Sequence, residues 1–180
     1  MGIFSIPNSL SLSRILILVP FVYAALNRNV VLASFLLLVS ASTDVADGFT
    51  ARRLNQVTRF GAILDASVDK IHAVVVLVSL SVTGLFPVWA TVLIVAREAV
   101  IVGGGLDLMR RGREILPPTF EGRFTRLMLL LMEISYLIGF SPFNLVLLFG
   151  VLVLMSISLV DYSRLYARAI GEGKPARLTN

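Results

Sequence analysis

Apolar runs recur along this 180-residue chain between short polar breaks, and each is long enough to cross the ~30 Å hydrocarbon core of a bilayer. They place spans near Leu12–Leu26, Val31–Arg52, Gly61–Gly84, Phe86–Leu108, Arg123–Phe140 and Pro142–Tyr166. Inside a bilayer, backbone donors and acceptors must be satisfied within the segment itself, so such runs fold as helices. The expected fold is therefore all-α, a polytopic membrane protein with six transmembrane helices. Composition agrees: 57% of residues are hydrophobic and 15% charged, against roughly 45–50% and 25% in soluble domains. The length suits one membrane domain covering residues 1–180.

The lead from Met1 to Ser13 is weakly amphipathic and broken by Pro7, which suggests a short interfacial helix before the first span. A cleaved signal peptide is not expected, because Arg14 interrupts the apolar run and no small-x-small site follows before Asn27. Arginines set the orientation. Arg52, Arg53 and Arg59 lie between spans two and three, Arg110, Arg111, Arg113 and Arg123 between four and five, and Arg164, Arg168, Lys174 and Arg177 after six. The opposite connections carry only Arg28, so both termini and the 53–59 connection should face the cytoplasm of a bacterial-type inner membrane. The net charge of +5 comes without a basic stripe interleaved with aromatics, which argues against nucleic acid and for contact with anionic membrane lipids. The chain has no cysteine, hence neither disulfides nor a thiolate metal site.

Four aspartates stand out against this background: Asp44, Asp47, Asp65 and Asp69. An ionised carboxylate at membrane depth costs several kcal/mol unless compensated, so four in one short stretch point to function. On a helix, Asp44, Asp47, Gly48, Ala51 and Arg52 share one face; on the next, Gly61, Asp65 and Asp69 recur every four residues and drift by only about 80°. Two antiparallel helices joined through the polar 53–58 connection would set the two acidic pairs opposite each other. Hard oxygen donors in that arrangement suit Mg²⁺ or Mn²⁺, two ions about 4 Å apart being the usual way to offset such a charge set.

Asp44, Asp47, Gly48, Ala51, Arg52, Gly61, Asp65 and Asp69 match, position for position, the D-x-x-D-G-x-x-A-R-x8-G-x3-D-x3-D signature of the CDP-alcohol phosphatidyltransferases, which the chain therefore resembles. Ile6, Pro7, Asn8, Leu10, Ser11 and Arg14 resemble the I-P-N-x-L-[ST]-x-x-R lead found in members of that family. The resemblance implies a homodimer that takes CDP-diacylglycerol, passes its phosphatidyl group to an alcohol and releases CMP. It implies that Asp44, Asp47, Asp65 and Asp69 hold metal, that Asp69 is also the catalytic base, and that Gly48, Ala51, Arg52 and Gly61 form the CDP pocket, with Arg52 reaching the phosphates. The Ile6-Pro7-Asn8 lead and the Asp69-Lys70 ending look more like phosphatidylglycerophosphate synthases than inositol-phosphate enzymes, which favours glycerol 3-phosphate as acceptor; phosphatidylglycerol, as in cardiolipin synthases, is the runner-up.

A phosphorylated acceptor needs guanidinium partners. Arg113, Arg123 and Arg126 lie beside the expected site opening, and Arg97 lies within the fourth span. Gly122, Arg123, Thr125 and Arg126 form a shifted version of the G-K-x-K-T-like element common in phosphatidylglycerophosphate synthases. The same arginines also serve topology, and Arg97, Glu98 and Glu133 also read as a structural ion pair or hydrogen-bond network. His72, the single histidine, reads as a satisfied structural group on the Asp69 face. Gly103, Gly104 and Gly105 lack a phosphate-cradle context, and with Ser135 and Gly139 they read as close helix packing or local flexibility. Two other classes compete: a membrane cation transporter, and a prenyltransferase of the UbiA type. Neither requires Gly48, Ala51, Arg52 and Gly61 at these offsets.

Overall fold

The computed structural model describes the backbone of residues 6–53, 59–111 and 120–171, and side chains over 13–43, 67–111, 124–140 and 142–171. All regular structure among these residues is helical, in six helices: α1 Ile6–Leu26, α2 Val30–Arg53, α3 Arg59–Val82, α4 Val88–Arg110, α5 Phe120–Leu137 and α6 Ser141–Gly171. The expected spans are thus all helical, with ends within a few residues of those read from the apolar runs. The lead departs from expectation. It forms no separate interfacial helix over the described residues, because α1 is continuous from Ile6. Pro7 sits in the first turn, where its missing N–H has no intrahelical acceptor to lose, so it starts the helix and does not break it.

Three connections are made by local capping. After α3, Leu85 N–H bonds Leu80 O and Gly84 N–H bonds Ser81 O, with Gly84 at φ 75°. Phe140, Gly139, Ser135 and Tyr136 repeat this pattern after α5, with Gly139 at φ 71°. Both are Schellman caps, in which glycine takes the left-handed position at least cost. Gly139 is therefore a helix terminator, not the helix-packing residue expected from its spacing to Ser135. After α1, Arg28 holds the same left-handed position at φ 54°, and Asn29 then caps α2 by accepting Leu32 N–H at 3.1 Å.

The chain divides into two compact units, Met1–Thr91 with Glu133–Ser141 and Val92–Met132 with Pro142–Asn180. In the first, α1 packs against both α2 and α3. Leu18, Phe21 and Ala25 are buried at helical spacing on α1, while Leu16, Val19 and Tyr23 lie exposed on its other side. A helix apolar all round has no water-facing side. Ala24 and Ala33, both buried, keep the helix faces small where backbones approach. In the second unit Leu148, Val151, Met155 and Ser158 form the buried stripe of α6, and Val146, Phe149, Val153 and Val160 are exposed.

Among the described residues one helix, Pro142–Gly171, is long and apolar enough on its own to cross a membrane, with mean hydropathy 2.6. The described apolar parts of α1 and α2, Ser13–Leu26 and Val30–Thr43, are shorter than a crossing requires.

Candidate active site

The signature residues fall on two consecutive helices. Asp44, Asp47, Gly48, Ala51 and Arg52 occupy the last turns of α2, and Gly61, Asp65 and Asp69 the first half of α3. The side chains of residues 44–66 lie outside the described residues, as does all of Arg113 and the side chain of Arg123. Asp69 is the described member of the set. It is half-buried, and Arg14 Nη1 on α1 donates to its Oδ1 at 2.5 Å.

One turn further along α3, His72 Nε2 shares a 2.9 Å hydrogen bond with Ser40 Oγ on α2. That bond joins α2 one turn before Asp44 to α3 one turn after Asp69, so the helices are braced beside the acidic turns. His72 is thus a structural group, as its isolation in the sequence suggested. The sequence alone does not pair Arg14 with Asp69: it marks Arg14 as part of the lead and as an interruption of an apolar run. A cation inside an apolar helix, in a chain carrying four acids elsewhere, was the available signal.

The second unit holds the remaining basic candidates. Arg97 Nη2 donates to Ser158 Oγ of α6 at 2.9 Å, and Nη1 pairs with the neighbouring Glu98. Arg97 is thereby tied into the α4–α6 contact, with two of its nitrogens already partnered. Arg126 is exposed on the first half of α5. Glu133 is buried, and its Oε1 has no hydrogen-bond partner among the described residues. At the end of α4, Asp107 Oδ2 accepts from Tyr166 Oη at 2.6 Å and from Arg111 Nε at 2.7 Å. The hydrogen bond to that carboxylate raises the Arg111 guanidinium above its ordinary value. Above this cluster Tyr162 donates to Ile101 O at 3.0 Å and lies over Gly104, which bears out the close-packing reading for that glycine.

What the acidic helices can do follows from their donors: carboxylate oxygens with no thiolate, beside an imidazole already hydrogen-bonded to a hydroxyl. Such a set fits a hard divalent cation. The profile of the CDP-alcohol phosphatidyltransferase family matches residues 4–160, a range that contains α2, α3 and the whole signature. The chain belongs to that family. Among similar members, a CDP-diacylglycerol–glycerol-3-phosphate 3-phosphatidyltransferase of Aquifex aeolicus is 35% identical over 170 residues, covering 88% of this chain and 94% of the relative. The enzyme of that name from Bacillus subtilis is 30% identical over 158 residues, covering 79% and 81%. A putative cardiolipin synthase of Mycobacterium tuberculosis is 35% identical over 122 residues, which is 67% of this chain and 58% of the mycobacterial protein. Family membership accounts for Gly48, Ala51, Arg52 and Gly61 standing among the acids, a pattern that charge compensation alone does not require.

Proposed function

We propose that this protein is an integral membrane enzyme that transfers the phosphatidyl group of CDP-diacylglycerol to sn-glycerol 3-phosphate, releasing CMP. The observation that carries the reading is the complete eight-residue signature on two consecutive helices braced beside their acidic turns by Ser40 and His72. The choice of acceptor is supported by the near-full-length similarity to the Aquifex protein and by the lead around Ile6, Pro7 and Asn8. The reading has six spans, with the aspartates and both termini on the cytoplasmic side of the inner membrane; six helices and the arginine distribution support it. Family resemblance supports a homodimer.

Asp44, Asp47 and Asp65, with contact from Asp69, would hold Mg²⁺ or Mn²⁺, which when bound neutralises charge on the diphosphate. By family resemblance Gly48, Ala51, Arg52 and Gly61 would form the CDP pocket, the two glycines adding no side chain to it and Arg52 serving the phosphates. The acceptor's hydroxyl oxygen forms a bond to the lipid-side phosphorus as the bond from that phosphorus to the CMP oxygen breaks. Asp69 takes the hydroxyl proton. An ordinary carboxylate, with pKa near 4, is a weak base for an alcohol, so proton transfer is late and orientation dominates. Arg113, Arg123 and Arg126 supply cations for the acceptor phosphate. Arg97 is the weaker candidate for that role because Ser158 and Glu98 already hold it.

The test is a panel assay: purified protein, labelled CDP-diacylglycerol, and glycerol 3-phosphate, phosphatidylglycerol or inositol phosphate, read by product lipid and CMP. Phosphatidylglycerophosphate as the main product is expected. Product only with phosphatidylglycerol would make the protein a cardiolipin synthase, and metal flux across vesicles without CMP would remove it from this chemistry.

A further inference from the structure

We propose that Arg14 is a positioning residue for the reaction above, holding the Asp69 carboxylate in the orientation from which it meets the acceptor hydroxyl; this inference rests on the proposed phosphatidyl transfer. The ion pair spans 55 positions of sequence, from α1 to α3, with Arg14 exposed by only 3% and Asp69 by 11%. Asp69 sits one turn from His72, which Ser40 ties to α2. The turn of α3 bearing the proposed base is therefore held from two sides, by a guanidinium on α1 and by a hydroxyl on α2.

The orientation matters because a carboxylate on a helix otherwise samples several rotamers, and a base acts only within about 3 Å of the proton it takes. Displacement by about 1 Å costs on the order of 100-fold in rate. A guanidinium fixes direction as well as charge, because its donors lie in a rigid plane, whereas an ammonium is a point charge on a flexible stem. Lysine at position 14 therefore keeps a buried cation for Asp69 and loses the directional hold. A purely structural pair would lose turnover only as far as it loses folded protein. Neutralising both partners together is tolerated, whereas removing one leaves a buried charge uncompensated.

The experiment uses the full chain in nanodiscs with Arg14→Lys, Arg14→Gln, and the double variant Arg14→Gln with Asp69→Asn. Four readouts are taken: kcat and KM for both substrates, Mn²⁺ binding by electron paramagnetic resonance, CDP binding by calorimetry, and thermal unfolding. Arg14→Lys should keep CDP and Mn²⁺ affinity within about 3-fold while kcat falls on the order of 100-fold. Arg14→Lys and the double variant should both unfold near the wild-type temperature, so the kcat loss of Arg14→Lys is not unfolding. Turnover within about 2-fold of wild type for both single variants, or a kcat loss in Arg14→Lys matched by equal losses of CDP and Mn²⁺ binding, overturns the inference. A wild-type chain that releases no CMP with any acceptor sinks the proposed reaction and this inference together. Normal wild-type turnover that the Arg14 variants share sinks the inference alone.

Discussion

Gly104→Ala tests how tightly α6 lies on the end of α4. A Cβ at this position would come 2.8 Å from Tyr162 Oη and 3.1 Å from Tyr162 Cε1, closer than such atoms approach. The tyrosine ring must therefore swing away. Its hydroxyl then gives up the 3.0 Å bond to Ile101 O, at about 0.6 kcal/mol for a typical hydrogen bond between membrane helices. Part of its stacking on Tyr166, at 6.5 Å between ring centroids, goes too, at about 0.5–1.5 kcal/mol. Alanine's better helix propensity returns up to about 1 kcal/mol. Tyr166, stacked beside the ring and bonded to Asp107, crowds that movement, so strain of the kind seen on overpacking, about 1–3 kcal/mol, adds to the loss. The net expectation is destabilisation by about 1–4 kcal/mol.

Gly103→Ala is the internal control. Nothing lies within 4 Å of a Cβ there, so this variant should be neutral or gain up to about 1 kcal/mol. Unfolding in detergent micelles, followed by circular dichroism, separates the two, and Tyr162→Phe should reduce the cost of Gly104→Ala in a double-mutant cycle. A Gly104→Ala protein as stable as Gly103→Ala would mean that Tyr162 does not lie over α4 as described.

Three further outcomes are expected. Asp69→Asn should lower CMP release by at least 100-fold while CDP-lipid binding, measured by calorimetry, is largely retained; unchanged turnover would remove Asp69 from the mechanism. Chelation should stop activity, with Mg²⁺ or Mn²⁺ restoring it and Ca²⁺ serving poorly because of its larger, looser coordination; activity in thoroughly metal-free protein would defeat the metal proposal. Ser40→Ala should cost about 1 kcal/mol of stability by removing the hydroxyl that meets His72 and should lower kcat more than it raises KM, a pattern that steady-state kinetics would read directly.

Much of the architecture was legible because its signals are local. An apolar run of sufficient length has few alternatives to a helix in a bilayer; Gly139 was not legible in the same way, because the left-handed φ of 71° that ends α5 is not carried by its spacing to Ser135. The signature was legible for a related reason: Asp44 with Asp47, and Gly61 with Asp65 and Asp69, share helix faces through spacing alone. Pro7 misled because the same ring that breaks a helix interior is well suited to a first turn, and only the continuation of α1 through Arg14 distinguishes the cases.

Helix number, approximate helix limits and the acidic signature were determined by the order of residues along the chain. The tertiary structure decided which side chains meet: Arg14 with Asp69, Ser40 with His72, Arg97 with Ser158, and Tyr162 over Gly104. The physical reason is that an apolar span satisfies its own backbone, whereas the partner of a buried polar side chain depends on which helix packs beside it and at what rotation, and no short stretch of sequence carries that information.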